Sequence, residues 1–112
     1  MTNIEIVRRY LESLDAGDFD AAAVLLSANA DVVTPDGTRS GSEFLAGLRG
    51  WLGLDNLNIA IRDRVLSEEL GVVVSHATRV FTWKESGEVA YEQPAKAHFT
   101  VDAGRIVKVE LQ

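Results

Sequence analysis

The most constraining feature of this sequence is a pair of β-rich runs in residues 72–101, joined by the short sequence Glu-Ser-Gly. Runs of β-branched and aromatic residues on both sides of a glycine-containing connection are typical of a β-hairpin. A three-residue loop at 85–87 places Lys84 opposite Glu88, whereas a two-residue loop opposes two glutamates. We therefore predict the three-residue loop, which has Gly87 at its left-handed position. It also pairs Trp83 with Val89, Phe81 with Tyr91 and Val73 with Phe99.

This register divides the hairpin into two faces, and the odd-numbered face predicts a pocket. That face is bulky at both ends and small in the middle, where Arg79 and Gln93 also project from it. Helices packed over such a face leave a hollow above the small side chains, and a mostly apolar hollow with a few polar groups is typical of a ligand site. We call the four small residues the waist: Ser75, Ala77, Ala95 and Ala97.

The first half of the chain predicts three helices and one short strand. Residues at capping positions mark the helix starts: Thr2 with Glu5, Asp18, and Ser40 with Glu43. Gly17 suits the left-handed end of the first helix, whose apolar residues recur at helical spacing. Residues 31–34 predict a strand that ends in a turn at 35–37. In the third helix, Gly47 and the glycines three and six residues later fit either close backbone approach or a loose helix end.

The second half predicts four antiparallel strands. Residues 57–66 alternate, which places Asp63 on the same face as Ile61. Pro94 has no N–H to donate, and it is expected to lie between two neighbouring strands, so it predicts a bulge or bend. Helices followed by antiparallel strands indicate an α+β fold, in which three N-terminal helices pack on a curved, mostly antiparallel sheet that forms a cone. We expect residues 1–112 to form one domain.

Composition excludes several functions. The net charge is −6 and the pI is about 4.8, so nucleic acid is not an expected partner, and no basic cluster suggests a membrane surface. There is no cysteine, and no signal peptide or membrane-spanning run is visible, so we expect a cytoplasmic protein. Only two histidines are present, and Lys96 opposite His76 disfavours a cation. We expect neither a metal nor another cofactor.

Several motifs resemble the nuclear transport factor 2-like superfamily, specifically its SnoaL-like and ketosteroid-isomerase-like members. They are the segments 7–10 and 15–20, the turn at 34–37, Ser40-Gly41, and Ala97-His98-Phe99. The resemblance covers nearly the whole chain and implies the cone fold. It is less informative about activity, because one scaffold carries many functions.

The resemblance also implies which activity to exclude. The isomerases of this superfamily use a tyrosine on the first helix, a base after the first strand and a protonated acid on a late strand. Tyr10 lies at the tyrosine's place, but Thr34 and Ala97 lie at the other two. A threonine is no proton-abstracting base near neutral pH, and an alanine donates nothing. Steroid isomerisation by that mechanism is therefore not expected.

Asp63 and Arg79 are the strongest catalytic candidates. An inward guanidinium needs a carboxylate, because an unpaired buried charge is very costly. If Leu66 pairs with Val72, Asp63 lies two pairs from Arg79, which fits either a ligand between them or a water-facing rim. In a SnoaL-like isomerase or cyclase acting on a small apolar carbonyl compound, Asp63 is the acid/base, with Arg79 and Tyr10 as electrophiles. An epoxide hydrolase-like enzyme and a non-catalytic binding or dimerisation module are the alternatives. Further ligand-binding candidates are Trp51, Ser75, Tyr91, Gln93, Ala97 and Phe99.

The even-numbered face of the hairpin predicts a homodimer. It is too apolar for a solvated surface and too polar for a core, which is typical of an interface. Members of the resembled superfamily commonly dimerise through this face, so we expect a two-fold dimer. The face comprises Leu66, Val72, Val74, Val80, Ala90 and Ile106 amid Glu92, Lys96, His98 and Lys108.

Overall fold

A computed structural model describes residues 1–51 and 56–112, with the side chains of residues 49–51 outside the description. Three helices pack on one six-stranded sheet of order β2-β1-β6-β5-β4-β3, which confirms the α+β cone. The elements are α1 (Asn3–Asp15), α2 (Phe19–Leu25), β1 (Leu26–Thr34), β2 (Gly37–Ser40), α3 (Gly41–Trp51), β3 (Leu57–Glu69), β4 (Val72–Trp83), β5 (Val89–Asp102) and β6 (Arg105–Leu111). In the part of the chain described, no helix is long and apolar enough to span a membrane.

The predicted helix caps are confirmed. The Thr2 side chain accepts from the Glu5 N–H at 3.2 Å, and Asp18 accepts from the Ala21 N–H at 3.1 Å. Gly17 has a φ of 73°, which is the left-handed geometry that ends α1. Ser40 Oγ accepts from the Glu43 N–H at 3.2 Å and opens α3. These local bonds satisfy N–H groups that the first turn of each helix leaves unpaired.

The sheet has more strands than the sequence predicts. Strand β1 begins five residues before the predicted segment and runs parallel to β6, while every other pair is antiparallel. Strand β2 follows because the turn at 35–36 brings Gly37 back beside Thr34. The core lies between α1 and the sheet, and its buried residues include Ile6, Val7, Tyr10, Val32, Val73, Phe99, Ile106 and Val109.

The hairpin register is confirmed over most of its length and wrong at the turn. Val73 pairs with Phe99, and Phe81 with Tyr91. Next to the turn, however, Thr82 pairs with Val89, so Ala90 is an extra residue. The Trp83 N–H donates to the Glu88 carbonyl at 2.9 Å, which closes a loop of four residues, 84–87, before β5 begins. A bulge absorbs the extra residue and increases the local twist. Gly87 keeps the expected left-handed backbone, with a φ of 76°.

Pro94 does not mark a bulge. It pairs with Thr78 in unbroken register. Strand β6 pairs with β5 only from Ala97 onward, so Pro94 has one neighbouring strand instead of two. A proline on an open edge removes no ladder hydrogen bond, and no distortion is required.

Candidate functional site

The inner face of the sheet, which packs against the helices, carries the waist as predicted. The Tyr10 ring on α1 meets the Phe99 ring edge-on, with centroids 6.0 Å apart and planes 66° from parallel. Ala97, two residues before Phe99, pairs with Ser75, and Ala77 pairs with Ala95. Because strand residues alternate between faces, the four small side chains lie on the same side as Phe99, toward α1.

Two hydroxyl-bearing residues at the inner face, Tyr10 of α1 and Ser75 of the waist, are largely withdrawn from water. Tyr10 is 2% exposed and Ser75 is 6% exposed. Within residues 1–51 and 56–112, neither side chain has a hydrogen-bond partner. Burial raises the pKa of Tyr10 well above its ordinary value of 10.0, so its hydroxyl stays protonated and is a donor. Among the described residues Arg64 Nε is the buried side-chain atom that has no partner, so the Tyr10 and Ser75 oxygens keep some accessible surface and can donate to a ligand on the inner face.

Arg79 and Gln93 lie on the inner face, one step beyond the waist toward the hairpin turn. They are directly paired across β4 and β5, and Arg79 Nη1 donates to Gln93 Oε1 at 3.0 Å. On the other side, Arg79 pairs with Ile61 of β3. Arg79 is half-buried, whereas Gln93 is exposed. The two residues therefore lie toward the open end of the inner face.

Asp63 does not face the waist, and the predicted inward orientation is wrong. Its backbone is left-handed, with a φ of 57°, and the pairing of β3 with β4 shifts between Arg62 and Val65. Two residues of β3 oppose the single residue Ala77 at this bulge, which reverses the inward and outward phase of the strand. The Asp63 side chain is 77% exposed, and its carboxylate accepts from Arg62 Nε at 3.2 Å.

The bulge turns Arg64 inward, and the sequence analysis missed this residue. The Arg64 side chain is 20% exposed, and its two terminal nitrogens donate to the two carboxylate oxygens of Asp15, at 2.8 and 3.2 Å. Arg64 Nε is buried without a partner among the described residues. The one feature of the sequence that could have indicated this is the adjacent apolar pair Val65-Leu66, because one apolar residue faces inward whichever way the strand alternates.

Two more residues change face because of bulges. Leu66 packs against the core and Ile106 is fully buried, although both were predicted on the outer face. Leu66 pairs with Ser75 instead of Val72, since β3 and β4 are joined by the two-residue turn Leu70-Gly71. A shift between β5 and β6 has the same effect on Ile106. Val65 occupies the outer face in place of Leu66 and is 62% exposed.

The remaining candidates differ in placement. Tyr91 stacks on Phe81, with ring centroids 4.3 Å apart, but is itself half-exposed. The Trp51 side chain lies outside the described residues. Thr34 Oγ1 donates to the Gly37 carbonyl and accepts the Asp36 N–H, so this hydroxyl serves the turn. No three potential metal ligands cluster among the residues described.

A surface depression of about 580 Å³ lies away from the waist, at the tip of the β4–β5 hairpin. Its lining residues are Asn56, Trp83, Lys84, Glu85 and Ser86. All five are exposed, and four of them belong to the end of β4 and the hairpin loop. Binding sites for small ligands normally bury most of the ligand's surface, so this depression is not a candidate site.

Comparison with protein families establishes the relationships of the chain. The family model for the SnoaL-like domain matches residues 7–109. The chain belongs to the SnoaL-like family. Membership confirms the resemblance drawn from the sequence motifs, and the SnoaL-like match includes Tyr10, the waist and Arg79. Among curated proteins, no sequence matches significantly.

Solved structures share the SnoaL-like fold at low identity. A proposed polyketide cyclase from Pseudomonas putida KT2440 has a TM-score of 0.83 at 22% identity, covering 100% of this chain and 91% of that one. Another proposed polyketide cyclase, from Xanthomonas campestris, has a TM-score of 0.79 at 22% identity, covering 96% of this chain and 86% of that one. A nuclear transport factor 2-like protein of unknown function from Cytophaga hutchinsonii has 0.73 at 18%, covering 100% and 89%. At such identities the likeness establishes the fold alone.

Proposed function

We propose that this SnoaL-like chain binds a small, mostly apolar carbonyl compound between helix α1 and the waist. The observation that carries the proposal is that Tyr10 and Ser75 are nearly buried residues whose hydroxyls make no hydrogen bond within the described residues, yet keep some accessible surface beside the alanines of the waist. A carbonyl oxygen is an acceptor, and both hydroxyls are donors. The alanine side chains of the waist supply apolar contact at little steric cost.

The test compares two probes of similar shape, 2-acetylnaphthalene and 2-ethylnaphthalene, by NMR titration of the ¹⁵N-labelled protein. The ketone is expected to bind about tenfold more tightly, which corresponds to one or two net hydrogen bonds. Ala97→Leu fills the waist and is expected to abolish binding. The matched control Ala60→Leu places the same bulk on the exposed outer face of β3 and leaves binding unchanged. Equal binding of the ketone by both variants contradicts the proposal.

Catalysis is the second candidate, as a cyclase that closes a ring by an intramolecular aldol step. The buried, protonated Tyr10 hydroxyl favours it, because such a donor stabilises an enolate oxygen. The relatives described as proposed polyketide cyclases point the same way. A base is also required, yet Asp63 is exposed and Asp15 is held by Arg64. Binding therefore ranks ahead of cyclisation, and an Asp63-based hydrolase is not retained.

We also propose that two copies associate through the outer face of the sheet. This face carries half-buried valines, Val72, Val74 and Val80, together with the exposed Val65. Val74→Lys is expected to convert a dimer to a monomer in sedimentation-velocity experiments, because it introduces a charge into an apolar contact. The control Val24→Lys changes an exposed residue of α2, away from the sheet. A wild-type monomer at 100 µM, or a dimer retained by Val74→Lys, contradicts the proposal.

A further inference from the structure

The arginines of this chain differ in how their charge is satisfied. Of those with described side chains, Arg64 and Arg79 are the two that are withdrawn from solvent. Arg64 holds a carboxylate, that of Asp15, through two hydrogen bonds. Arg79 donates to the neutral amide oxygen of Gln93 and has no carboxylate within reach among the described residues. Among the described residues, one half-buried guanidinium thus has no carboxylate partner.

Acidic residues are not scarce in this protein. The chain has 17 acidic and 11 basic residues. Arg62 is the nearest arginine on the outer face, since it pairs with Thr78 beside Arg79. It contacts two carboxylates, Asp63 at 3.2 Å and Glu92 at 2.6 Å. Among the described residues, carboxylates therefore pair with the exposed Arg62 and not with the half-buried Arg79, although burial removes more hydration from Arg79.

The Arg79–Gln93 pair presents donors only. A guanidinium has no acceptor, so the amide oxygen of Gln93 must face Arg79. The Gln93 amino group and the N–H groups of Arg79 that do not contact Gln93 then remain as donors. Adjacent donors with a positive charge bind an anionic oxygen more strongly than a neutral one.

We propose that the ligand carries an anionic oxygen, either a carboxylate or an enolised 1,3-dicarbonyl, bound by Arg79 and Gln93. This inference rests on the proposed function, because it assumes that the apolar part of the ligand binds at the waist. Arg79 lies two residues after Ala77 and Gln93 lies two residues before Ala95, so the pair sits between these alanines and the stacked rings of Phe81 and Tyr91. An acidic group at Arg79 therefore leaves the ligand body over the alanines, with its charged end toward the open end of the inner face.

The experiment measures binding of 2-naphthoate and methyl 2-naphthoate by ¹⁵N NMR titration at low salt. The wild type is expected to prefer the acid by about tenfold, as expected for a charge-assisted bidentate contact. Arg79→Gln is expected to reduce this preference to less than twofold, and Arg79→Lys to retain part of it. Arg62→Gln is the matched control, since it removes an outer-face arginine from the neighbouring pair. Circular dichroism and thermal unfolding verify that each variant is folded.

A second arm distinguishes the two anions. 1-(2-Naphthyl)butane-1,3-dione is titrated at pH 7, and the ultraviolet absorbance of its enolate shows whether binding favours the ionised form. Preference for naphthoate alone supports a carboxylate ligand. Growth of the enolate band, absent in Arg79→Gln, supports a dicarbonyl.

Three results overturn the inference. Equal affinity of the wild type for acid and ester, with shifts at the waist, rejects the anionic ligand while the proposed function stands. A preference that survives Arg79→Gln, or that Arg62→Gln removes equally, rejects Arg79 as the binding residue. If neither the naphthoates nor 2-acetylnaphthalene shifts the amide signals of the waist, the proposed function fails, and this inference fails with it.

Discussion

Arg64 on β3 holds both carboxylate oxygens of Asp15, at the end of α1, at distances of 2.8 and 3.2 Å. The pair joins the first helix to the sheet beside the waist, and it depends on the bulge that turns Arg64 inward. At the other end of α1, the Asn3 side chain donates to Glu68 of the same strand. Helix α1 is therefore attached to β3 near both ends, which sets its position over the inner face.

Loss of the Arg64–Asp15 pair is expected to destabilise the protein. Asp15→Asn should lower the free energy of unfolding by about 1–3 kcal/mol, because it leaves a mostly buried guanidinium without its counterion. Arg62→Met, which removes the solvent-exposed ion pairs with Asp63 and Glu92, should change it much less. Urea unfolding measures both values. Equal effects of the two substitutions would show that burial of Arg64 adds nothing to the strength of its ion pair.

Asp63 is expected to matter for backbone geometry and not for chemistry. Asp63→Asn should leave stability within about 0.5 kcal/mol of wild type, because asparagine tolerates a positive φ. Asp63→Val should cost about 1–2 kcal/mol, because a β-branched residue is strained there. Chemical denaturation compares the two variants. Ligand binding that is abolished by Asp63→Asn, in a protein of unchanged stability, would instead restore a direct role for this carboxylate.

Two glycines of α3 should respond oppositely to alanine. A Cβ at Gly41 collides with the backbone carbonyl of Ser27, so Gly41→Ala is expected to cost about 1–3 kcal/mol or more. Within the described part of the chain, a Cβ at Gly47 meets only Arg39 Nη1, at 3.6 Å, so Gly47→Ala should stabilise the helix by about 1 kcal/mol. Thermal unfolding measures both. The close approach predicted for Gly47 is not seen among the described residues, and the surroundings of Gly50 and Gly53 lie outside the description. A stabilised Gly41→Ala protein would refute the close approach.

Alkaline pH should destabilise the protein through Tyr10. Its folded pKa is raised, so above pH 10.0 the unfolded chain releases this proton while the folded protein retains it. The contribution of Tyr10 to the free energy of unfolding is therefore fully present below pH 10. Above pH 10 it should fall by about 1.4 kcal/mol for each pH unit, until the folded pKa is reached. Tyr10→Phe should remove this component, and at pH 8 it should be at least as stable as wild type, since it deletes an unpaired hydroxyl. Urea unfolding from pH 8 to 11.5 makes the comparison, and parallel curves would disprove the assignment.

Local chemistry explains why much of the fold was predictable. Helix caps such as Thr2 and Asp18 act within three residues, so their effect is readable from the sequence. The faces of β4 and β5 were predictable because apolar and small residues alternate along both strands. That alternation also placed Ser75, Arg79 and Ala97 on the face that packs toward α1.

What the sequence alone determined is the α+β order, the helix caps and the inner face of the central hairpin, since these depend on local spacing. Only the tertiary structure decided which residues of β3 and β6 face inward. Val65-Leu66 and Ile106-Val107 are adjacent apolar pairs, so either phase buries one apolar residue. A bulge of one residue exchanges the inward and outward faces of a strand. In β3, the pairing with β4 and the contact of Asp15 on α1 with Arg64 select the alternation that buries Arg64 and exposes Asp63.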